Sequence, residues 1–202
     1  MAAPGESPRG PWRAFGAGFR FAWDGLAAAV RRQRNLRVQL ACGVLASALA
    51  ALGPFAPAER ALLLASVAAV ITLETLNTAV EAAVDLASAG LDERARLAKD
   101  AAAGAVLVAS AGALLVLLAL PRPVQLARAL AARPAGVAGA LVAAAAAGLV
   151  PWRAGTSRAR DAALALLGAA GIAAVALQAE SQAGTVAAAT CLAVAAGAAF
   201  RR

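Results

Sequence analysis

The chain has 202 residues, of which 62% are hydrophobic, and its mean hydropathy is +0.73. Several long apolar runs are nearly free of charge, a pattern that argues against a soluble domain and predicts a polytopic α-helical membrane protein. The net charge of +8 is carried mainly by Arg, which favours contact with anionic headgroups rather than nucleic-acid binding. The sequence contains no His and no Gly-rich phosphate loop, which excludes a His-based catalytic site and a conventional nucleotide-binding loop.

The N-terminal part of the chain divides into two segments. Residues 1–11 are rich in Pro and Gly and are expected to form a flexible tail. From residue 12 to about residue 34, aromatic and aliphatic side chains recur every three or four residues between arginines. An aromatic, Arg-rich helix with this period is typical of the membrane interface, so we expect an interfacial helix here.

Apolar segments bounded by Pro, Gly and charged residues predict the membrane-spanning helices. The first three are expected at residues 36–53, 58–89 and 99–120. Three further Ala- and Gly-rich segments follow, at about residues 135–151, 161–178 and 184–200. The last part of the chain also leaves open a two-span extension or a re-entrant segment, because Arg122, Arg128 and Arg133 fall on the outer side, which argues against three added spans.

A polar stripe interrupts the second of these spans. Glu74, Asn77, Glu81 and Asp85 are spaced three, four and four residues apart, so all four fall within about 80° of one another on a helix. An ionisable group inside a membrane span is costly and must face a partner, a cavity or the interface. A structural interpretation, in which the acids only cap or pair within the bundle, competes with a functional one.

The residues of the stripe also form a recognisable motif. E-x-x-N-T-A-x-E-x-x-x-D from Glu74, followed by A-K-D-A-A-A-G-A-V from Ala98, resembles the signature of the prokaryotic diacylglycerol kinase family, which are small membrane-embedded lipid kinases. The resemblance covers about the first 120 residues. It implies a diacylglycerol kinase-like membrane domain at residues 12–122, built on a three-helix core, and leaves residues 123–202 as a helical extension of unknown role. All motif residues precede residue 122, which predicts that the first domain is the whole catalytic unit.

The resemblance agrees with the chemistry that the residues offer for phosphoryl transfer. Glu74, the deepest acid, is the candidate general base toward a lipid hydroxyl. Glu81 would hold Mg²⁺ against the phosphates of ATP, with Gln33 as a weaker second ligand. The remaining candidates are Asn77, Glu81, Asp85, Lys99 and Asp100 for ATP, and Arg20, Trp23 and Glu74 for the lipid substrate. For Asp85, an ion pair with Arg94 or Arg96 is an equally good interpretation.

One position departs from the family pattern. The local sequence R-Q-R-N-L puts Gln33 where the resembled family has a second metal-binding Glu. An amide oxygen can coordinate a cation but brings no charge, so the resemblance implies weaker metal binding here. The same departure supports an alternative in which the chain is a catalytically weak relative with an assembly role.

The resulting expectation is an ATP-dependent kinase that converts undecaprenol to undecaprenyl phosphate, with diacylglycerol as the alternative substrate. Arginines near the N-terminus and basic residues around residue 96 flank the same side, which predicts a multi-pass protein of the bacterial plasma membrane with a cytoplasmic active site. The resemblance implies a homotrimer. A transporter or channel would also carry a polar stripe, but no inverted repeat or pair of broken helices is visible in the sequence.

Overall fold

The computed structural model describes residues 11–88, 92–120, 123–152 and 157–200, with side chains described from residue 15 and excluding 151 and 152. Within these ranges the chain forms α-helices and short connections, with no strand, which confirms the all-α class. The helices are α1 (Pro11–Arg32), α2 (Arg34–Leu52), α3 (Pro57–Ala87), α4 (Glu93–Ala119), α5 (Pro123–Ala131), α6 (Pro134–Trp152), α7 (Arg158–Gln178) and α8 (Gln182–Phe200). The tail expected at residues 1–11 lies outside the described residues except for its last position.

Five of these helices, α2, α3, α4, α7 and α8, are long and apolar enough to cross a membrane. α5 and α6 are long and apolar enough to cross a membrane when they are taken together as one span, and the chain bends by 93° between them. α6 runs antiparallel to α2 along its length, since Gly136 lies against Leu52 and Gly148 lies against Ala41. α6 therefore extends through the same thickness as α2, which agrees with three additional spans after residue 122.

α1 is a separate helix that leads directly into the first span. Gln33 has an extended backbone, with φ −97° and ψ 116°, and this single residue separates α1 from α2. Arg37 of α2 reaches back across the junction, where its Nη1 donates to the backbone oxygens of Val30 at 3.2 Å and Arg31 at 2.9 Å. These bonds occupy carbonyl groups that the end of α1 would otherwise leave without a partner.

One hydrophobic core joins α1 and α2 to the C-terminal helices α6, α7 and α8, and a smaller one joins α2 to α6 and α7. Small residues allow these helices to approach closely: a Cβ atom added at Gly139 of α6 would lie 2.4 Å from the backbone oxygen of Gly171 in α7. Gly184 of α8 lies equally close to the backbone of α2, near Ser47 and Ala51. The extension thus packs on α1 and along most of α2.

The α3–α4 hairpin packs on another side of α2 and is far less buried. In α4, Val106 is the one buried residue among those described, and most of its Leu and Val side chains are exposed. Exposed apolar side chains are expected where a helix faces lipid, because lipid tails are as apolar as Leu. α2 is therefore the central helix, with the hairpin on one side and the extension on the other.

Candidate active site

The polar stripe of α3 becomes more exposed along its length. Glu74 and Asn77 are 3% and 7% exposed, Glu81 is partly buried, and Asp85 is exposed. Glu74 lies opposite α2 and Glu81 lies opposite the junction of α1 and α2. The stripe thus lies on one face of α3, as its helical spacing predicts. It runs from the interior of the bundle toward the end where α1 meets α2.

Two amides hold the carboxylate of Glu81. Gln33 Nε2 donates to Glu81 Oε2 at 2.6 Å, and Asn77 Nδ2 donates to Glu81 Oε1 at 3.0 Å. Gln33 is 48 residues away in sequence. The structure therefore brings together three of the residues that the sequence analysis assigned to metal and nucleotide binding.

A further amide, which the sequence analysis missed, holds Glu74. Gln39 Nε2 of α2 donates to Glu74 Oε2 at 3.3 Å. A hydrogen bond from a neutral donor compensates part of the cost of burying a carboxylate. The signal was available: Gln39 is a polar residue inside an apolar span, the same argument that singled out Glu74.

Gln39 also lines an apolar groove between α2, α3 and α4, with a volume of about 620 Å³. Its walls are almost entirely aliphatic and small side chains from the three helices: Cys42, Gly43, Leu45, Ala46, Leu49, Leu63, Ser66, Val67, Val70, Ile71, Ser110, Ala113, Leu114 and Leu117. Because Gln39 contacts Glu74, the groove reaches the buried end of the stripe.

The charged candidates at the α3–α4 end form exposed ion pairs. Lys99 Nζ donates to Asp85 Oδ1, so the partner of Asp85 is Lys99 and not Arg94 or Arg96. Asp100 lies 4.0 Å from Arg96, one helical turn earlier on α4. Lys99 and Asp85 connect the two helices of the hairpin near the exposed end of the stripe, whereas Asp100 interacts within its own helix.

The two candidate lipid contacts on α1 have different environments. The guanidinium of Arg20 is exposed and lies 5.7 Å from the ring centroid of Phe21. The indole of Trp23 is partly buried and packs against Gly197 of α8. Trp23 thus contacts the extension, while Arg20 is accessible from outside the bundle.

The donor set around Glu81 fits a cation that a nucleotide brings with it. No group of three or more acidic, Cys or His side chains that could hold a metal occurs among the described residues. The site offers one carboxylate and two amides, and Asn77 Oδ1 is buried without a hydrogen-bond partner in the described part of the chain. Mg²⁺ is commonly held by one or two carboxylates together with substrate phosphates, so this oxygen-rich but incomplete set is compatible with Mg²⁺.

These features define an all-α membrane bundle with a buried acid linked to a polar site at one end. Residues 20–120, half of the chain, match the sequence model of the family described as prokaryotic diacylglycerol kinase. The chain belongs to this family, which confirms the resemblance of the central motif. Residues after 120 lie outside the match.

One relative is the diacylglycerol kinase of Synechocystis sp., which is 41% identical over 99 residues. The aligned part covers 48% of this chain and 57% of the relative, so the chain spans little more than half the length of that protein. No solved structure matches the chain.

Proposed function

We propose that this protein is an ATP-dependent lipid kinase that phosphorylates the hydroxyl group of a membrane lipid alcohol. The observation that carries the proposal is the α3 stripe, in which a buried carboxylate, Glu74, is followed by Asn77 and Glu81 toward the polar end of the bundle. A candidate base then lies in apolar surroundings, where the lipid is, and candidate nucleotide ligands lie where water and ATP are. Membership of the diacylglycerol kinase family supports this proposal.

The proposed reaction is a direct phosphoryl transfer. The hydroxyl oxygen of the lipid forms a bond to the γ-phosphorus of ATP, the bond from that phosphorus to the β,γ-bridging oxygen breaks, and ADP leaves. Glu74 accepts the proton of the hydroxyl group and later returns it to water. Gln39, which lines the groove, donates a hydrogen bond to one oxygen of this carboxylate, so that this oxygen is fixed while the proton is transferred.

Glu81, Asn77 and Gln33 would bind the nucleotide side of the reaction. Their carboxylate and amide oxygens would hold Mg²⁺ together with the phosphates of ATP, and Mg²⁺ would neutralise part of the phosphate charge. Lys99 would contact a phosphate as a mobile cation, because its pair with Asp85 is exposed and can exchange. Asp85 and Asp100 remain candidate nucleotide contacts at the same end.

The groove that reaches Gln39 would accept one chain of the lipid. Its volume of about 620 Å³ and aliphatic lining suit a hydrocarbon chain, whose alcohol would then lie next to Glu74. The name of the Synechocystis relative favours diacylglycerol as the substrate class. The motif from Glu74 and the K-D-A-A-A-G-A-V segment favour undecaprenol, and this alternative is retained as the second substrate to test.

We further propose that the site faces the cytoplasm in a bacterial plasma membrane. Arg31, Arg32 and Arg34 lie at the junction of α1 and α2, at the same end as Lys99. Positively charged residues beside spanning helices favour the cytoplasmic side, where ATP is available. The homotrimer implied by the family resemblance is part of this proposal.

The test is transfer of labelled phosphate from ATP by the purified full-length protein in lipid bilayers. Diacylglycerol and undecaprenol are supplied in separate reactions, and the extracted lipids are separated by chromatography. We expect label in one of the two lipids, and labelling of that lipid that is lower by about 10²-fold or more with Glu74→Gln. If the wild-type protein labels neither lipid while its Mg²⁺–ATP site is saturated, the kinase proposal is wrong and an assembly role is favoured.

A further inference from the structure

The C-terminal end of α8 packs directly on α1. A Cβ atom added at Gly197 would lie 2.5 Å from Cζ2 of the Trp23 indole, a distance that real Cβ contacts essentially never show. One residue later, Ala198 accepts a hydrogen bond of 3.0 Å at its backbone oxygen from Nη1 of Arg31. Ala27 and Val30 of α1 belong to the same hydrophobic core as the alanines of α8. α1 is thus attached to α8 by an aromatic ring, a hydrogen bond and shared apolar packing.

The position of Gln33 depends on α1 as well as on α2, because this single residue joins the two helices. The backbone N–H of Gln33 donates to the Ala29 oxygen at 2.8 Å, which continues the hydrogen-bond pattern of α1 through the last turn. α1 packs more extensively on α8 than on α2 or α3. A shift of α1 would therefore carry Gln33 away from Glu81, whereas Glu74 and Gln39 lie on α3 and α2 and would stay in place.

We propose that α8 is a positioning element of the active site, in which Gly197 admits the Trp23 ring and thereby fixes α1 and Gln33 against Glu81. This inference rests on the proposed function, and it assigns a role to a helix that lies outside the family match. It also changes the expectation that residues up to 122 form the whole catalytic unit: without α8, α1 loses its main packing surface.

The roles of the two ends of the stripe predict a specific kinetic signature. Loss of the contact between α8 and α1 should weaken the binding of Mg²⁺–ATP, since Gln33 contacts Glu81 at the proposed nucleotide end of the stripe. It should leave the chemical step largely intact, since Glu74 is held by α2. A residue with only a structural role would instead reduce the amount of folded protein and leave the KM of the remainder unchanged.

The experiment uses the full-length protein in lipid nanodiscs and three variants. Gly197→Val places a branched side chain in the space of the indole. The double variant Gly197→Val/Trp23→Leu replaces the indole by a smaller side chain and so makes room for the valine. Gly139→Val is the matched control, since it introduces an equally close contact within the extension, with the Gly171 oxygen of α7, away from α1.

Two quantities are measured: the KM and kcat for Mg²⁺–ATP, and the hydrogen-exchange rates of the α1 backbone amides. We expect Gly197→Val to raise KM about tenfold with kcat changed less, as a small misplacement of a binding group does. Its α1 amides should exchange faster, and the double variant should recover most of the slow exchange, a measurement that does not depend on the lipid contact expected of Trp23. Gly139→Val should lower thermal stability without changing KM or α1 exchange.

Three results would overturn the inference. They are unchanged α1 exchange in Gly197→Val, faster α1 exchange with unchanged KM, and an equal rise of KM in Gly139→Val. A wild-type protein without lipid kinase activity would contradict the proposed function separately. In that case the exchange rates of α1, compared between Gly197→Val and Gly139→Val, still decide whether α8 positions α1.

Discussion

Gln33 Nε2 lies 2.6 Å from Glu81 Oε2, and this hydrogen bond joins the α1–α2 junction to the polar stripe of α3. An amide donor satisfies the carboxylate without adding charge, so Glu81 is held in place when no cation is present. A Glu at position 33 would instead put two negative charges at hydrogen-bond distance, where they repel unless a cation lies between them. The Gln at this position therefore gives a site that is stable without metal but has one carboxylate fewer to bind it.

Glu74→Gln should reduce lipid phosphorylation by about 10²-fold or more, since it removes the proposed general base and keeps the shape of the side chain. The measurement is the initial rate at saturating ATP and lipid, with helix content and thermal stability checked in parallel. Glu59→Gln is the control, because Glu59 lies on the same helix but accepts a hydrogen bond from Ala56 N at the opposite end. Activity of Glu74→Gln within a few-fold of the wild type would exclude Glu74 as the base.

Gln39→Leu should lower both stability and kcat, because it leaves the buried Glu74 carboxylate without its amide donor. The loss of stability should be about 1–3 kcal/mol, the cost of an unsatisfied buried group. In the background of Glu74→Gln the same change should cost less, since a neutral amide is cheaper to bury than a carboxylate. Thermal unfolding of the two single variants and the double variant gives the coupling energy. Additive effects would show that the two side chains do not interact.

Lys99→Met should raise the KM for ATP about tenfold, as expected for the loss of one charge-assisted contact to phosphate. Asp85→Asn tests whether Asp85 binds the nucleotide or only pairs with Lys99. Because that pair is exposed, breaking it should change stability by less than about 1 kcal/mol. We expect a smaller rise of KM for Asp85→Asn than for Lys99→Met. Equal KM values for Lys99→Met and the wild type would remove Lys99 from the site.

The helices and the stripe were predictable because both depend on local patterns. Apolar runs of spanning length and Pro at the breaks indicate the helices, and the spacing from Glu74 to Glu81 indicates one face. The partners of these acids were harder to predict because they depend on how distant helices pack. The resemblance to the family motif predicts Gln33 in the site. Gln39 lies outside that motif and is a lone polar residue in an apolar span, so the motif does not indicate it.

The contact between α8 and α1 could not be read from the sequence. Gly197 lies in a run of small residues, and nothing in its local sequence distinguishes it from the other glycines of the extension. Its partner Trp23 is on a helix whose aromatic residues suggest membrane anchoring. Only the packed structure shows that this Gly admits the indole ring. The partner of Asp85 is a similar case, since Lys99, Arg94 and Arg96 all lie near it in sequence and the packing of α3 on α4 selects Lys99.

Gln33→Glu should lower the concentration of free Mg²⁺ needed for half-maximal activity about tenfold, because a second carboxylate strengthens cation binding by about 1–3 kcal/mol. The added charge should also make stability depend on the metal: the thermal midpoint of Gln33→Glu should rise with Mg²⁺ more than that of the wild type. Glu81→Gln should lose nearly all activity, since Glu81 is the one carboxylate that the amides of Gln33 and Asn77 hold at the proposed metal site. Gln33→Ala, which removes the amide and adds no charge, separates loss of the hydrogen bond from gain of the carboxylate. The comparison is a Mg²⁺ titration of the initial rate for the wild type and the three variants. An unchanged Mg²⁺ requirement in Gln33→Glu would show that position 33 does not contribute to the metal site, although it contacts Glu81.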